Sequence, residues 1–128
     1  MTKTLYMTNC SRGDVVLVPF MFSDRPVVKR RPAVVISSAE YHDSRQEVIV
    51  AAVTSNVARG LLVGDHLLGE WRTAGLPKES VVTGILRTIK QTMILRRMGA
   101  LANTDMGSVD AVLARALSLI GVSAPEPL

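Results

Sequence analysis

Three consecutive basic residues stand immediately before Pro32: Lys29, Arg30 and Arg31. They are the best candidates in the sequence for a binding or catalytic role. Because the proline ring clashes with the backbone before it, Arg31 is restricted towards an extended conformation. A guanidinium held in that way can bind a phosphate through two parallel hydrogen bonds. Thr54, at the end of a separate apolar run, offers a hydroxyl to the same kind of ligand. From charge and spacing alone, a solvated basic turn and an ordinary strand threonine remain the simpler interpretations.

The sequence lacks the signatures of the familiar metal and nucleophile chemistries. His42 and His66 lie on different segments without a cysteine nearby, so no zinc spacing exists, and the aspartates are scattered. There is no nucleophile elbow and no glycine-rich phosphate loop before a helix. The string Tyr41, His42 and Asp43 resembles a catalytic set only on paper, because adjacent loop residues rarely converge. We therefore expect no metal site and no cofactor.

Length, charge and composition narrow the class of protein to which this chain can belong. A chain of 128 residues is expected to form a single domain (residues 1–128) that buries about two-thirds of its unfolded surface. Fifteen basic and eleven acidic residues give a net charge of +4, which favours anionic partners. One tryptophan, two tyrosines and two phenylalanines are too few for an aromatic RNA-stacking platform. A single cysteine, and the lack of a long apolar run or signal peptide, predict a cytoplasmic protein without a membrane span.

Runs of β-branched residues predict a mostly β fold. The first three strands are expected at residues 14–20, 33–37 and 47–54, with a charged loop at 23–31. Shorter strands are expected at 65–68, 80–83, 86–89 and 94–100, with Gly84 separating the middle pair and one helical turn at 91–93. Because no helix-length crossover separates the first three strands, a parallel sheet is excluded.

The last element is predicted to be an amphipathic helix that packs one face on the sheet. Its apolar residues recur at three- and four-residue spacing: Met106, Val109, Val112, Leu113, Ala116, Leu117 and Ile120. Thr104 and Asp105 are the candidate N-caps, and Gly121 is the candidate stop. The architecture is thus a small β barrel with a C-terminal helix over residues 12–120, preceded by a loose lead-in (1–11) and followed by a tail (121–128).

Five segments, in this order along the chain, resemble the PemK/MazF (Kid-like) toxins of type II toxin–antitoxin systems. They are RGDVVLVPF at 12–20, KRRPAVVIS at 29–37, VAAVTS at 50–55, AGLPKESVV at 74–82 and RTI at 87–89. The resemblance covers about residues 11–120. It implies a compact SH3-like β barrel with a C-terminal helix, which assembles as a homodimer.

The resemblance also implies an activity and partners. Members of this family are metal-independent endoribonucleases that cut single-stranded RNA, usually mRNA. A cognate antitoxin, acidic at its binding segment, neutralises them by occupying the RNA groove. The family's catalytic arginine, immediately before the proline, corresponds to Arg31, and its hydroxyl partner corresponds to Thr54.

Five further residues are expected to contact RNA around this pair: Lys29, Arg30, Ser55, Asn56 and Arg87. For Arg87, a structural or intersubunit role is an equally good interpretation. The sequence departs from the family pattern in the segment 83–86, which is shortened and has no aspartate, and at Lys90, where an aspartate is common. No residue stands out as a general base.

Two other classes of function remain open at the sequence level. The same barrel could bind nucleic acid or a protein without cutting, as does the related gyrase-directed toxin CcdB, because fold alone does not fix function. A purely structural dimer is the second alternative. The coexistence of Arg31 and Thr54 favours the nuclease, since a non-cutting relative need not keep both.

Overall fold

A computed structural model describes residues 10–21 and 28–119 of the chain. These residues form six strands, β1 (Asp14–Met21), β2 (Val28–Val35), β3 (Glu47–Thr54), β4 (His66–Leu67), β5 (Val81–Lys90) and β6 (Arg96–Ala100). They also form two helices, α1 (Ala39–Ser44) and α2 (Asn103–Leu117), and 3₁₀ turns at Val57–Arg59 and Gln91–Met93. The predicted lead-in up to residue 9, and the predicted tail, lie outside the described residues.

The strands form one antiparallel sheet in the order β4-β5-β3-β2-β1-β6. The sheet curls into a half-barrel, and α2 packs against β4 and β5 at one end. The predicted fold class, a mostly β barrel-like architecture with a C-terminal helix, is confirmed. The predicted helical turn at 91–93 and the third strand have the predicted bounds.

The two faces of the sheet carry separate apolar clusters, because successive side chains of a strand point to opposite sides. On one side, which we call the helix face, strand valines pack against Val109 and Leu113 of α2. The other side, which we call the groove face, has seven buried residues in the described part of the chain: Val16, Val18, Phe20, Ala33, Val35, Val48 and Val50. Burial on both faces explains why these strands read as nearly continuous apolar runs.

Strand β2 begins earlier than the sequence predicted. Residues 28–31 were expected in a loop, but Arg30 pairs with Pro19 and Arg31 pairs with Val18 in the β1–β2 ladder. That prediction was wrong because pairing with a neighbouring strand overrides the weak strand propensity of charged residues. The expected loop residues 23–27 lie outside the described part of the chain. The basic residues are thus held by a backbone ladder.

Strand β5 is one continuous element, although two strands separated by Gly84 were predicted. Its pairing with β3 is interrupted by a bulge in which Ala52 stands opposite residues 83–85, so β5 has two extra residues at this point. Glycine in a strand often marks such a bulge, where another backbone comes close. Here a Cβ on Gly84 would lie 3.3 Å from the Cα of Gly64.

Helix α2 is capped differently from the prediction. It begins at Asn103 after Ala102, with no side-chain capping hydrogen bond, and it ends at Leu117. Ser118 adopts a left-handed conformation (φ 59°) and its N–H bonds to the last carbonyls, which is the role predicted for Gly121. Gly121 and Ile120 lie outside the described residues. Val109 and Leu113 are buried as expected, whereas Leu117 is exposed.

Asp105 connects α2 to the segment after β4 instead of capping the helix. Its carboxylate accepts hydrogen bonds from the backbone N–H groups of Gly69 and Glu70, both at 2.9 Å, and lies 2.8 Å from His66 Nε2. Burial raises the pKa of Asp105, but the hydrogen bonds from Gly69, His66 and Glu70, together with the charge of His66, hold that pKa below its ordinary value.

A tight turn over residues 71–77 packs its backbone against β6. Gly75 has φ +81°, and a Cβ at this position would overlap the carbonyl group of Met98, 2.7 Å from the carbonyl carbon. Gly99 makes the reciprocal approach to Ala74. Only glycine combines this backbone conformation with so close a contact.

Candidate active site

Sheet register places Arg31 and Thr54 on the same side of the sheet. Ala33 pairs with Ala52, and each candidate residue is two positions from one of these alanines along its own strand. Because alternate residues of a strand share a face, both side chains belong to the groove face. Arg87 pairs with Val50 and so also belongs to this face. Three residues from three strands therefore converge without any loop rearrangement.

These side chains line a groove of about 610 Å³. Of the residues predicted from the sequence, Arg31, Thr54, Asn56 and Arg87 line it. The others lie outside this lining, as exposed residues of the described chain: Lys29, Arg30 and Ser55. The groove therefore brings together the two predicted catalytic residues and separates them from part of the predicted binding set.

Thr54 occupies the last position of β3, where the chain turns into a 3₁₀ turn. The backbone N–H of Asn56 donates to Thr54 Oγ1 at 3.1 Å. This contact uses the oxygen as an acceptor, so the hydroxyl hydrogen can donate to a ligand in the groove. Asn56 itself is exposed at the rim. The local turn thus holds Oγ1 at the groove and leaves its hydrogen available.

The arginines of the groove face are held by their surroundings. Arg31 is partly buried within the β1–β2 ladder. The guanidinium carbon of Arg87 lies 5.8 Å from the ring centre of Phe20, and its Nη1 donates to the carbonyl of Leu86 at 3.1 Å. An aromatic face next to a guanidinium is a favourable cation–π contact. Phe20, which also lines the groove, thereby restrains one of its two strand arginines.

Sequence reasoning missed two charged residues of the groove, Arg59 and Asp65. Asp65 is buried and accepts three hydrogen bonds: from Arg59 Nη2 at 3.0 Å, from the N–H of Leu62 at 2.9 Å and from the N–H of Gly84 at 3.2 Å. No motif signals this cluster, because its partners come from a loop and a distant bulge. Gly64 and Gly84 are the sequence signal that could have indicated this cluster, because glycine allows two backbones to approach closely. Their proximity is visible only in the structure.

The bulge of β5 supplies the floor opposite Thr54. Thr83 donates its hydroxyl to the carbonyl of Ala52 at 2.7 Å and accepts from the N–H of Ile85 at 3.1 Å. Bulge residues lose ladder partners, so these side-chain bonds, with that of Asp65 to Gly84, satisfy the backbone. The shortened segment noted in the sequence is therefore an ordered part of the groove.

One wall of the groove is apolar and open to solvent. Leu62, Val63 and Ile85 line it and are 67%, 65% and 51% exposed. Neighbouring exposed large apolar side chains usually mark a contact surface. The groove therefore combines arginines on its sheet side with an aliphatic wall.

The string Tyr41, His42 and Asp43 does not form a catalytic set. His42 Nε2 lies 2.6 Å from the hydroxyl of Ser37, which is buried and accepts the N–H of Ile49 at 2.9 Å. Burial lowers the pKa of His42, and the charge of Asp43 offsets this in part. The pair fastens α1 to β3. Within residues 10–21 and 28–119 no three His, Cys, Asp or Glu side chains cluster in a way that could hold a metal ion.

Comparison with known proteins identifies the family. A family model described as the PemK-like, MazF-like toxin of type II toxin–antitoxin systems matches residues 11–117. The chain belongs to the PemK/MazF family. The family predicted from the five sequence segments is thereby confirmed.

Curated relatives of this PemK/MazF member carry matching names. Endoribonuclease MazF2 of Mycobacterium bovis is 40% identical over 94 residues, which are 71% of this chain and 81% of that protein. Endoribonuclease MazF6 of Mycobacterium tuberculosis matches with the same identity and coverage.

Solved structures share the fold at lower identity. A mycobacterial endoribonuclease in complex with its cognate antitoxin has a TM-score of 0.71 at 17% identity, over 92% of this chain and 99% of that one. A MazE–MazF structure from Deinococcus radiodurans has a TM-score of 0.68 at 18% identity, over 87% of this chain and 98% of that one.

Within the described residues, no helix of this PemK/MazF chain is long and apolar enough to cross a membrane.

Proposed function

We propose that this PemK/MazF protein is an endoribonuclease toxin that cuts single-stranded RNA, mRNA above all, in the cytoplasm, with Arg31 and Thr54 as its catalytic residues. The endoribonuclease names of the curated relatives support the activity. The observation that carries the site assignment is the groove that both side chains line, from two separate strands. A guanidinium and a hydroxyl can both donate hydrogen bonds to the oxygens of a phosphodiester.

The proposed reaction uses the RNA's own 2′-hydroxyl as the nucleophile. Its oxygen bonds to the adjacent phosphorus while the bond from phosphorus to the 5′ oxygen breaks. The 2′-hydroxyl gives up its proton and the 5′ oxygen takes one up, so the products are a 2′,3′-cyclic phosphate and a 5′-hydroxyl. The protein's part is to orient the attack and to stabilise charge on the phosphate oxygens.

Arg31 and Thr54 divide that work by their chemistry. The guanidinium of an arginine is a cation with donors in a planar fork, so Arg31 acts as a fixed positive charge with two donors on the non-bridging oxygens. Thr54 donates its hydroxyl hydrogen to the same phosphate, because the phosphate oxygens are acceptors and the contact from Asn56 leaves that hydrogen available. Arg87 and Asn56 bind RNA beside them in the groove, and Lys29, Arg30 and Ser55 bind it farther out.

We also propose a cognate antitoxin and a second copy of this chain as partners. Two of the structural neighbours are toxin–antitoxin complexes. The arginines and the aliphatic wall of the groove suit a peptide that carries both acidic and apolar side chains. Such a peptide would compete with RNA for the groove, which is the expected mode of neutralisation. Sedimentation of the purified toxin at several concentrations tests the homodimer.

Mapping cleavage ends tests the proposed function. A long mixed-sequence RNA is incubated with the protein in EDTA, and the 5′ ends of the fragments are analysed. We expect cleavage to survive chelation and to leave 5′-hydroxyl ends. Binding of the RNA without cleavage would instead favour the non-cutting alternative.

The Arg31→Ala variant tests the catalytic assignment. Losing one preorganised donor to a transition state costs about 10²–10³ in rate, so we expect at least that loss in single-turnover cleavage of the same RNA. The variant should keep its fold, by circular dichroism, because it removes a partly buried side chain outside the apolar clusters. An Arg31→Ala protein that cuts at the wild-type rate would refute the assignment.

A further inference from the structure

Arg59 is a groove residue to which neither the family resemblance nor the sequence assigns a role. It ends the 3₁₀ turn Val57–Arg59, and its side chain lines the same groove as Arg31 and Thr54. The side chain is 29% exposed, so an incoming ligand can reach it. The loop continues through Gly60, at φ +82°, into the apolar wall.

Asp65 fixes Arg59 at this place. The carboxylate is 3% exposed, and backbone N–H groups of Leu62 and Gly84 hold it from the loop and from the bulge. Asp65 Oδ2 accepts from Arg59 Nη2 at 3.0 Å. A guanidinium has five donors in a planar fork, so this contact engages one edge of Arg59 and lets another edge serve a ligand.

Fixing a long side chain in advance has a recognised effect on binding. A free arginine loses rotamer entropy when it meets a ligand, and a side chain that is already held avoids much of that cost. Arg59 is held in this way beside two further arginines that line the groove, Arg31 and Arg87.

We propose that Arg59 binds a phosphate of the RNA next to the one that Arg31 and Thr54 hold, with Asp65 keeping its guanidinium in place. This inference rests on the proposed function, because it concerns the same groove. It adds a second anchoring point for the RNA backbone on the loop side. That point would help to fix which linkage lies over the catalytic pair.

The test measures binding without cleavage. The probe is a fluorescein-labelled single-stranded oligodeoxynucleotide of mixed sequence, which lacks the attacking 2′-hydroxyl, and the readout is fluorescence anisotropy at several salt concentrations. We expect Arg59→Gln to raise Kd about tenfold, as the loss of a charge-assisted contact does. It should also reduce the slope of log K against log salt by about 0.7.

A double variant separates binding from a purely structural role. Arg59→Gln alone leaves Asp65 buried without its cation, whereas Arg59→Gln with Asp65→Asn removes both charges. Because asparagine has one acceptor oxygen where Asp65 uses two, the double variant should melt below wild type, and circular dichroism at the assay temperature checks that it is folded. We expect the double variant to show the same reduction in salt slope. Arg45→Gln is the matched control, because Arg45 pairs with Glu47 at 3.3 Å outside the groove lining and should leave Kd and slope unchanged.

The outcomes separate this inference from the proposed function. A double variant with wild-type Kd and salt slope would overturn the role of Arg59, and so would a wild-type protein that does not bind the oligonucleotide. A wild-type protein that binds it but leaves RNA uncut in EDTA would refute the proposed cleavage. In that case the loss of binding in the two Arg59 variants would still support the phosphate contact.

Discussion

Thr54 lines the groove with its oxygen accepting a backbone N–H, which leaves the hydroxyl hydrogen available to a ligand. Spacing alone did not distinguish it from any other threonine at the end of a strand. The family resemblance pointed to it, and the register of β2 with β3 explains how it reaches the same face as Arg31.

Replacing Thr54 tests that donor directly. Thr54→Val keeps the shape and removes the hydroxyl, and we expect a loss of about 10² in single-turnover cleavage rate. Thr54→Ser is the matched control, since it keeps the hydroxyl and should retain most of the activity. Equal rates for Thr54→Val and wild type would contradict the assignment.

At the level of single residues, the sequence could indicate charges but not their partners. Arg31 stood out because a proline follows it, whereas Arg59 and Asp65 are six residues apart in an unremarkable loop. Their significance depends on a third residue, Gly84, that is far along the chain. For Lys29 and Arg30 the sequence indicated a place beside Arg31 and Thr54, whereas the structure places both residues outside the groove lining, exposed to solvent.

At the level of elements, apolar periodicity predicted where the strands and the helix lie. Their first and last residues could not be predicted, because tertiary contacts determine them. Strand β2 begins at Val28 because β1 pairs with it, and β5 continues through Gly84 because β3 pairs with it on both sides of the bulge. Asp105 was predicted as a cap because of its residue type. Its true partners, Gly69 and Glu70, could not be inferred from sequence spacing.

Asp105 should make stability depend on pH in acid. Its pKa is held below the ordinary value of 3.8, so the unfolded chain binds a proton first as pH falls. The stabilisation from this carboxylate is therefore fully present above about pH 5 and is lost as pH falls through about 4 and below. We expect Asp105→Asn to lose about 1–3 kcal/mol at pH 7, since it disturbs buried hydrogen bonds.

Urea unfolding at pH 5.5 and at pH 3 checks this expectation, because this interval spans the loss of the carboxylate's contribution. The difference between wild type and Asp105→Asn should shrink at the lower pH. Asp110→Asn is the control on the same helix, because Asp110 forms an exposed ion pair with Arg12 that is worth about 0–1 kcal/mol. A constant difference at both values of pH would contradict the assignment of the low pKa.

The turn at Gly75 gives a second prediction for an element. Gly75→Ala combines an unfavourable φ with overlap on the Met98 carbonyl, so we expect a loss of about 2 kcal/mol or more. Gly107→Ala should instead gain about 0.5–1 kcal/mol, because this helix position has open space for a Cβ. Thermal unfolding of both variants measures the contrast, and equal melting temperatures would show that the turn does not pack as described.

For the whole molecule, the modest net charge of +4 is less informative than its distribution, because three arginines line one groove: Arg31, Arg59 and Arg87. Each phosphate contact to single-stranded nucleic acid contributes about 0.7 to the slope of log K against log salt. We expect Arg87→Gln to reduce that slope by about 0.7. Arg72→Gln should not, because its guanidinium lies 4.3 Å from the ring centre of Trp71, outside the groove lining.

Anisotropy titrations between low and moderate salt measure both slopes with the uncleavable oligonucleotide. A slope unchanged by Arg87→Gln would assign Arg87 to the structural role that its contact with Phe20 also allows. The fold class thus followed from the strand pattern and the resemblance, and the resemblance also supplied the proposed catalytic pair. The full set of charged residues in the groove could be identified only from the structure, because the curled sheet brings them together from separate strands and a loop.

The bulge of β5 preserves the alternation of its side chains. β5 has two more residues than β3 between the pairs Ala51–Leu86 and Val53–Val82, so positions before and after the bulge keep the same order of faces. Val82 and Leu86 accordingly both pack on the helix face, and Arg87 lies on the groove face opposite Val50. Deleting one residue would break this even count, so the chain would have to absorb the change in a one-residue bulge or present Leu86 to the groove in place of Arg87.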